Sequence, residues 1–180
     1  MAFEREKPRH IDKGEWNNGG TTWEFWSSDA EPNPKLCSAI GLVAITNLDT
    51  NSIVLTKNDR GWEMIAGGID PGETPEEALK REALEEGGFV VVRQKVYGHR
   101  KIVNKVMNEK AVRKGYKPLA YMPYYYGFTD DKLRTPTGEE IVDSGVFSMD
   151  KKKDREKLKP AELLLIQEGL RAARRARENA

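Results

Sequence analysis

Glu82, Glu85 and Glu86 are the residues of this chain whose type and spacing point most directly to chemistry. On a helix, positions i, i+3 and i+4 share an arc of roughly a quarter-turn, because each residue advances about 100°. Like charges at that spacing cost about 0.2–0.5 kcal/mol per pair, and the last turn of a helix adds an unfavourable dipole. A solvated face gains nothing from such an arrangement, whereas a bound cation would reward it. Carboxylate oxygens suit the hard cations Mg²⁺ and Mn²⁺ better than zinc, which favours nitrogen and sulfur. Magnesium keeps several waters and neutralises pyrophosphate, so the expected chemistry is attack of water on a phosphoanhydride. The alternative, ordinary surface glutamates offset by Lys80 and Arg81, stays open on spacing alone.

A helix over Pro75 to Glu86 must carry this trio. Thr74 is a good N-cap, Pro75 fits the first helical position, Glu77 completes a capping box, and Gly87-Gly88 stops the helix. Before it, Leu36 to Thr46 reads as a buried strand and Ser52 to Thr56 as its hairpin partner, turned by Asn47, Asp49 and Asn51. Trp62 to Ile65 reads as a short strand ended by Gly67-Gly68. After the helix come strands at Phe89 to Tyr97 and Ala120 to Phe128, and a strand candidate at Glu140 to Phe147. Between the first two, Ile102, Val103, Val106 and Met107 could lie on one helix face. Pro160 opens a last helix to about Arg177, expected to bury Leu163, Ile166, Leu170 and Ala173.

The stretch from Gly67 to Phe89 resembles the Nudix box. Gly67 is followed by five residues, Glu73, seven residues, Arg81-Glu82, two free positions, Glu85-Glu86, one free position, Gly88 and an apolar Phe89. Ala83 stands where the family usually has a bulkier aliphatic. The resemblance implies an α/β fold, an α/β/α sandwich with a mixed β-sheet, and hydrolysis of a nucleoside diphosphate linked to another moiety. It also implies Mg²⁺, with Mn²⁺ as a substitute. By the same resemblance Glu82, Glu85 and Glu86 would be metal ligands, joined by the Gly67 carbonyl oxygen, while Glu73 and Arg81 brace loop against helix. Glu82, Glu86 or a later glutamate, Glu139 or Glu140, would serve the attacking water. The run from Trp62 to Glu73 resembles the Glu-x-x-Ala-Gly lead-in of ADP-ribose and nucleotide-sugar pyrophosphatases, which makes Glu63 a substrate-binding candidate. Nucleoside triphosphates or dinucleotide polyphosphates, a 5′-polyphosphorylated RNA end, and a non-catalytic nucleotide sensor are the alternatives.

Charge is segregated along the chain. From Glu63 to Glu86 eight acidic residues face two basic ones, and from Arg93 to Lys117 nine basic residues face one acidic. That division suits a site with metal on one wall and polyanion on the other, with Arg100 and Lys101 as substrate contacts and residues 93–117 as a basic insertion that could act as a lid. A soluble, flexible insertion fits the same charges.

The 180 residues suit one main core, divided as an aromatic N-terminal extension over 1–35 and a hydrolase domain over 36–180. Trp16, Trp23, Phe25 and Trp26 are too much aromatic surface for a disordered tail, so this core or a second subunit must cover them, and a homodimer is one expectation. The net charge of +1 does not select a nucleic acid or an anionic membrane as partner. One cysteine, Cys37, excludes an internal disulfide, and two histidines, His10 and His99, are too few for a histidine-rich metal site. The longest apolar run, Leu36 to Ile45, is too short for a membrane span, and the first ten residues offer no secretory signal, so a cytoplasmic protein is expected.

Overall fold

The computed structural model describes residues 7–107, 109, 112, 117–130 and 134–180. Its chain order is β1 (Arg9–Trp16), β2 (Thr21–Ser27), a 3-10 turn at Pro34–Leu36, β3 (Ala39–Asn47), β4 (Ser52–Asn58), β5 (Gly61–Glu63), β6 (Ile65–Gly68) and α1 (Pro75–Glu85). There follow β7 (Val91–Asn104), β8 (Leu119–Thr129), β9 (Asp143–Ser148), the short α2 (Lys152–Arg155) and α3 (Pro160–Glu178). These strands make one mixed sheet in the order β1-β2-β7-β8-β3-β4-β5, with β6 on β3 and β9 on β4. Only β3 and β8 run parallel among these pairings, with Gly41 to Ile45 opposite Tyr124 to Phe128. The remainder pair antiparallel.

The sheet separates two cores, and strand alternation assigns residues to them. On one face Ile40, Leu42, Ala44, Ile65 and Tyr125 pack with Ala78, Leu79 and Ala83 of α1. On the other Phe25, Val43, Ile45, Tyr97, Tyr124 and Tyr126 pack with Leu165, Ile166, Leu170 and Ala173 of α3. Consecutive tyrosines 124, 125 and 126 therefore serve opposite faces, and Tyr97 anchors α3 further by donating its hydroxyl to the Leu165 carbonyl at 3.0 Å. The result is the α/β/α sandwich with a mixed sheet.

Two segments differ from the sequence expectation. Lys101 to Asn104 is not helical: Ile102 and Val103 continue β7, which pairs with β2 on one side and β8 on the other. Pairing on both edges outweighs a weak helical spacing of four apolar residues. Lys110, Arg113 and Lys114 of the expected basic lid lie outside the described residues. The strand expected from Glu140 starts at Asp143, because Glu139 and Glu140 form the turn before it. Leu163 is only half-buried, and Leu165 takes its expected place in the core.

The N-terminal aromatics are covered by the chain's own core. Alternation in β2 buries Trp23 and Phe25, and Phe25 meets Tyr124 edge-on at 5.5 Å and Tyr97 at 6.2 Å. Arg9–Trp16 carries little apolar periodicity and does not announce a strand, yet β1 pairs along β2 from Arg9↔Ser27 to Trp16↔Thr21. Arg9 also donates to buried Glu168 of α3 at 3.1 Å, tying the hairpin to the last helix. Phe25→Ala is expected to destabilise the whole domain by about 3–5 kcal/mol in urea denaturation. A loss under about 1 kcal/mol would show the hairpin to be a separable appendage.

Candidate active site

The chain reverses between β6 and α1 through Ile69 to Thr74, a loop built by its own backbone. Gly72 takes φ +91°, a region that favours glycine, and the Glu73 N–H donates to the Asp70 carbonyl at 3.0 Å. At its end Thr74 accepts from Glu77 N–H at 3.2 Å while Glu77 accepts from Thr74 N–H at 2.8 Å, the reciprocal capping box. At the far end Gly88 takes φ +72° and stops the helix one turn after Glu85.

Arg81 joins loop to helix. Its Nε and Nη2 donate to the two Glu73 oxygens, both at 2.9 Å, a bidentate pair. Nη2 also donates to the Gly68 carbonyl at 2.8 Å, and Nη1 to Glu82 at 2.7 Å and Glu85 at 3.3 Å. The Arg81 hydrogen bond holds the Glu73 carboxyl below its ordinary range, and Glu73 in turn raises Arg81 further.

Glu82, Glu85 and Glu86 stand together at the last turn of α1, beside β6. A Cβ on Gly67 would fall 1.9 Å from Glu82 Oε1, so only glycine lets the buried carboxylate approach the strand this closely. Glu86 accepts from the Ala66 N–H at 3.4 Å, and among the described residues no cation donates to it. Burial, followed by the charge of Glu82, pushes its carboxyl up to about 7. Glu82 is raised as well, chiefly by burial.

The donor set fits a hard divalent cation: all ligands on offer are oxygen, and Glu86 is buried beside the charge of Glu82, a strain that a cation would relieve. Among the described residues no three such side chains form a ready cage, and Arg81 holds Glu82 and Glu85. A cation here therefore competes with the guanidinium for two of its three carboxylates.

The other candidates fall at different distances from this centre. Glu63 lies on β5, takes Arg60 at 2.9 Å and accepts from Asn58. Glu140 is exposed in the turn before β9, within electrostatic reach of Arg60. Its loop is held to α1 by Thr137 and Gly138 N–H groups, which donate to the Glu85 carbonyl at 2.8 and 2.9 Å. Arg100 and Lys101 point to opposite faces of β7. Arg100 lines a pocket of about 310 Å³ with Trp16, Glu63, Ala66, Tyr124 and Glu162, whereas Lys101 lines a separate hollow with Lys13 and Glu24. Sequence reasoning missed Glu162. Its position in the first turn of α3, two residues after Pro160, reads as ordinary helix-start chemistry, but its carboxylate accepts from Met64 N–H at 2.5 Å and burial pushes it up to about 7.

The family model described as NUDIX domain matches residues 35–168. The chain belongs to the NUDIX family. Solved structures agree at the level of the fold. A mutant of the Bacillus subtilis pyrophosphohydrolase BsRppH is similar with a TM-score of 0.65 at 21% identity, over 91% of this chain and 98% of that one. The NUDIX domain of Shewanella oneidensis NrtR, complexed with ADP ribose, gives 0.58 at 15% identity, over 79% and 94%. A NUDIX-family hydrolase from Clostridium perfringens gives 0.51 at 19%, over 75% and 96%. Comparison with curated protein sequences finds no match. This NUDIX chain is thus a pyrophosphohydrolase by family, and hydrolases of the family generally need a divalent metal, usually Mg²⁺.

The raised carboxyls set a pH dependence in EDTA. Glu86 binds a proton up to about pH 7 when folded and only to about its ordinary 4.5 when unfolded, so the folded state holds more protons between these values. Its contribution to stability is complete below pH 4.5 and is lost as pH rises through 7. Glu86→Gln should therefore gain stability relative to wild type between pH 5 and pH 8, read by urea denaturation. An unchanged difference at the two pH values would contradict this environment for Glu86.

Proposed function

We propose that this NUDIX protein uses Mg²⁺ at Glu82, Glu85 and Glu86, with the Gly67 carbonyl, to hydrolyse the diphosphate of a nucleoside diphosphate linked to a sugar, ADP-ribose or a nucleotide sugar. The observation that carries this reading is the junction at Ala66. Its N–H binds Glu86, and the same residue lines the 310 Å³ pocket that holds Glu63 and Arg100. A pocket at the small end of the usual range of about 300–1,000 Å³ suits one half of such a substrate, leaving the other half at the open side of the carboxylates. The ADP ribose bound by the NrtR domain supports the same substrate class.

Bound Mg²⁺ would neutralise charge on the diphosphate and lower the pKa of a water. The chain's own work is positional. Arg81 fixes Glu82 and Glu85 on the helix, and the Ala66 N–H orients Glu86. Glu140 supplies a further carboxylate on the loop held to the Glu85 carbonyl. A 5′-polyphosphorylated RNA end is the second reading, supported by the likeness to BsRppH across nearly all of that chain.

Glu86→Gln is expected to lower turnover by at least about a hundredfold with the fold intact. The assay is a Mg²⁺ panel of ADP-ribose, nucleotide sugars, triphosphates and triphosphorylated RNA, with product phosphates identified. Release of a nucleoside monophosphate and a sugar phosphate, abolished in the variant, supports the reading. Selective release of pyrophosphate from RNA ends would replace it with the second, and undiminished turnover in the variant would remove Glu86 from the site.

A further inference from the structure

The strand that brings Gly67 to the site changes neighbours on the way. β5 is hydrogen-bonded to β4 and ends at the pair Thr56↔Glu63, whereas β6 is hydrogen-bonded to β3 and starts at the pair Leu42↔Ile65. Met64 is the crossing residue and belongs to neither ladder. It is buried in the core under α3, where a backbone N–H needs an acceptor from the protein. That acceptor is the Glu162 carboxylate, 98 residues later. A glutamate in the first turn of a helix ordinarily serves the free N–H groups of its own helix start. Among the described residues the hydrogen bond of Glu162 goes to Met64 instead, and Lys159 at the N-cap makes no side-chain capping bond.

Three charged side chains share the pocket with Glu162: Glu63 opposes its charge, while Lys159 and Arg100 favour it. What sets Glu162 apart from them is its reach to the strand. The consequences fall on the next four residues. Ala66 N–H donates to Glu86, Gly67 offers its carbonyl to the ion, and the Gly68 carbonyl accepts from Arg81. β6 is held along one edge by β3 and tied at its entry by Glu162. The fit at its end is tight, since a Cβ on Gly67 would fall 1.9 Å from Glu82 Oε1, so a small displacement of β6 is felt at the carboxylates.

We propose that Glu162 is a positioning residue for the metal site: by holding the crossing at Met64 from α3, it sets the line along which β6 presents the Gly67 carbonyl to the ion. The role rests on the reading of Glu82, Glu85, Glu86 and the Gly67 carbonyl as the ligands of a divalent cation. It requires an acceptor at the reach of a glutamate side chain and does not require negative charge.

The test is Mn²⁺ binding to the full chain at pH 8, above the value of about 7 for Glu162, read from the electron paramagnetic resonance of the free ion. Leaving nucleotide out keeps substrate contacts in the pocket from entering the measurement. Glu162→Gln removes the charge but keeps an oxygen for Met64 N–H, and is expected within about threefold of the wild-type affinity. Glu162→Asp keeps the charge and draws the acceptor back by one methylene, and Glu162→Ala removes both. Each is expected to weaken Mn²⁺ about tenfold, the scale of losing a group that orients a metal ligand, with an unchanged far-UV spectrum. In the metal-free chain the amide resonances of Ala66, Gly67 and Gly68 should move in Glu162→Asp and stay in place in Glu162→Gln. Should Glu162→Ala lose its fold, the other two variants decide. A glutamate that only stabilises the fold would lower the urea midpoint in Glu162→Asp and leave the Mn²⁺ affinity of the folded chain untouched, which would overturn the role. Glu162→Gln as weak as Glu162→Ala, with Glu162→Asp at wild-type affinity, would assign the effect to charge and overturn it as well. Glu86→Gln separates the two readings. Mn²⁺ binding absent from wild type, or unaffected by Glu86→Gln, would remove the metal site and this role with it, whereas binding lost in Glu86→Gln but kept in Glu162→Asp would remove the role alone.

Discussion

The guanidinium of Arg81 reaches four groups at once: both oxygens of Glu73, the Gly68 carbonyl, Glu82 and Glu85. Those groups belong to a loop, a strand end and a helix, so their relative positions depend on one side chain. Charge-assisted hydrogen bonds are worth about 1.5–3 kcal/mol each, against about 0.2–0.5 kcal/mol for a pair of like charges a helical turn apart. Arg81 therefore more than offsets the repulsion of Glu82 and Glu85. Glu86 is left outside its reach, and that is the carboxyl pushed up to about 7. A helix end that solves two of its three charges internally and leaves the third desolvated is poised for a cation from outside.

The rest of the fold places a pocket against that charge. Because the sheet has a core on each face, α1 and α3 lie on opposite sides of it, and the short strands β5 and β6 form the edge where both sides are reachable. Ala66 faces Glu86 at the C-cap of α1, and two residues earlier Met64 N–H faces Glu162 of α3. One stretch of five residues, Trp62 to Ala66, thus connects the carboxylate helix to the pocket wall, and the N-terminal hairpin closes the other end through Trp16.

How much of this was legible follows from where the information lies. The loop, the capped helix and the grouping of Glu73, Arg81 and the three glutamates are local in sequence, and turn and capping chemistry states them directly. The β3–β4 hairpin was legible for the same reason, since Asn47 accepts from Asp49 and Thr50 N–H in its turn. β1 and the end of β7 were not, because their stability comes from neighbours distant in sequence: Arg9 from Glu168, Lys101 to Asn104 from strands on both sides. The pocket was half legible. Arg100 stood out as a basic residue, but its aromatic cage joins residues 16, 23, 100 and 124, and Glu162 had no signal apart from its fold position.

The central claim is that the end of α1 and the Gly67 carbonyl gather around one divalent ion. Anomalous diffraction from crystals of this chain grown with Mn²⁺ tests it most directly. The account predicts a single strong peak within coordination distance of Glu86, with Glu82 or Glu85 released from Arg81 to share it. A peak elsewhere, or none beside these carboxylates at saturating Mn²⁺, would contradict it.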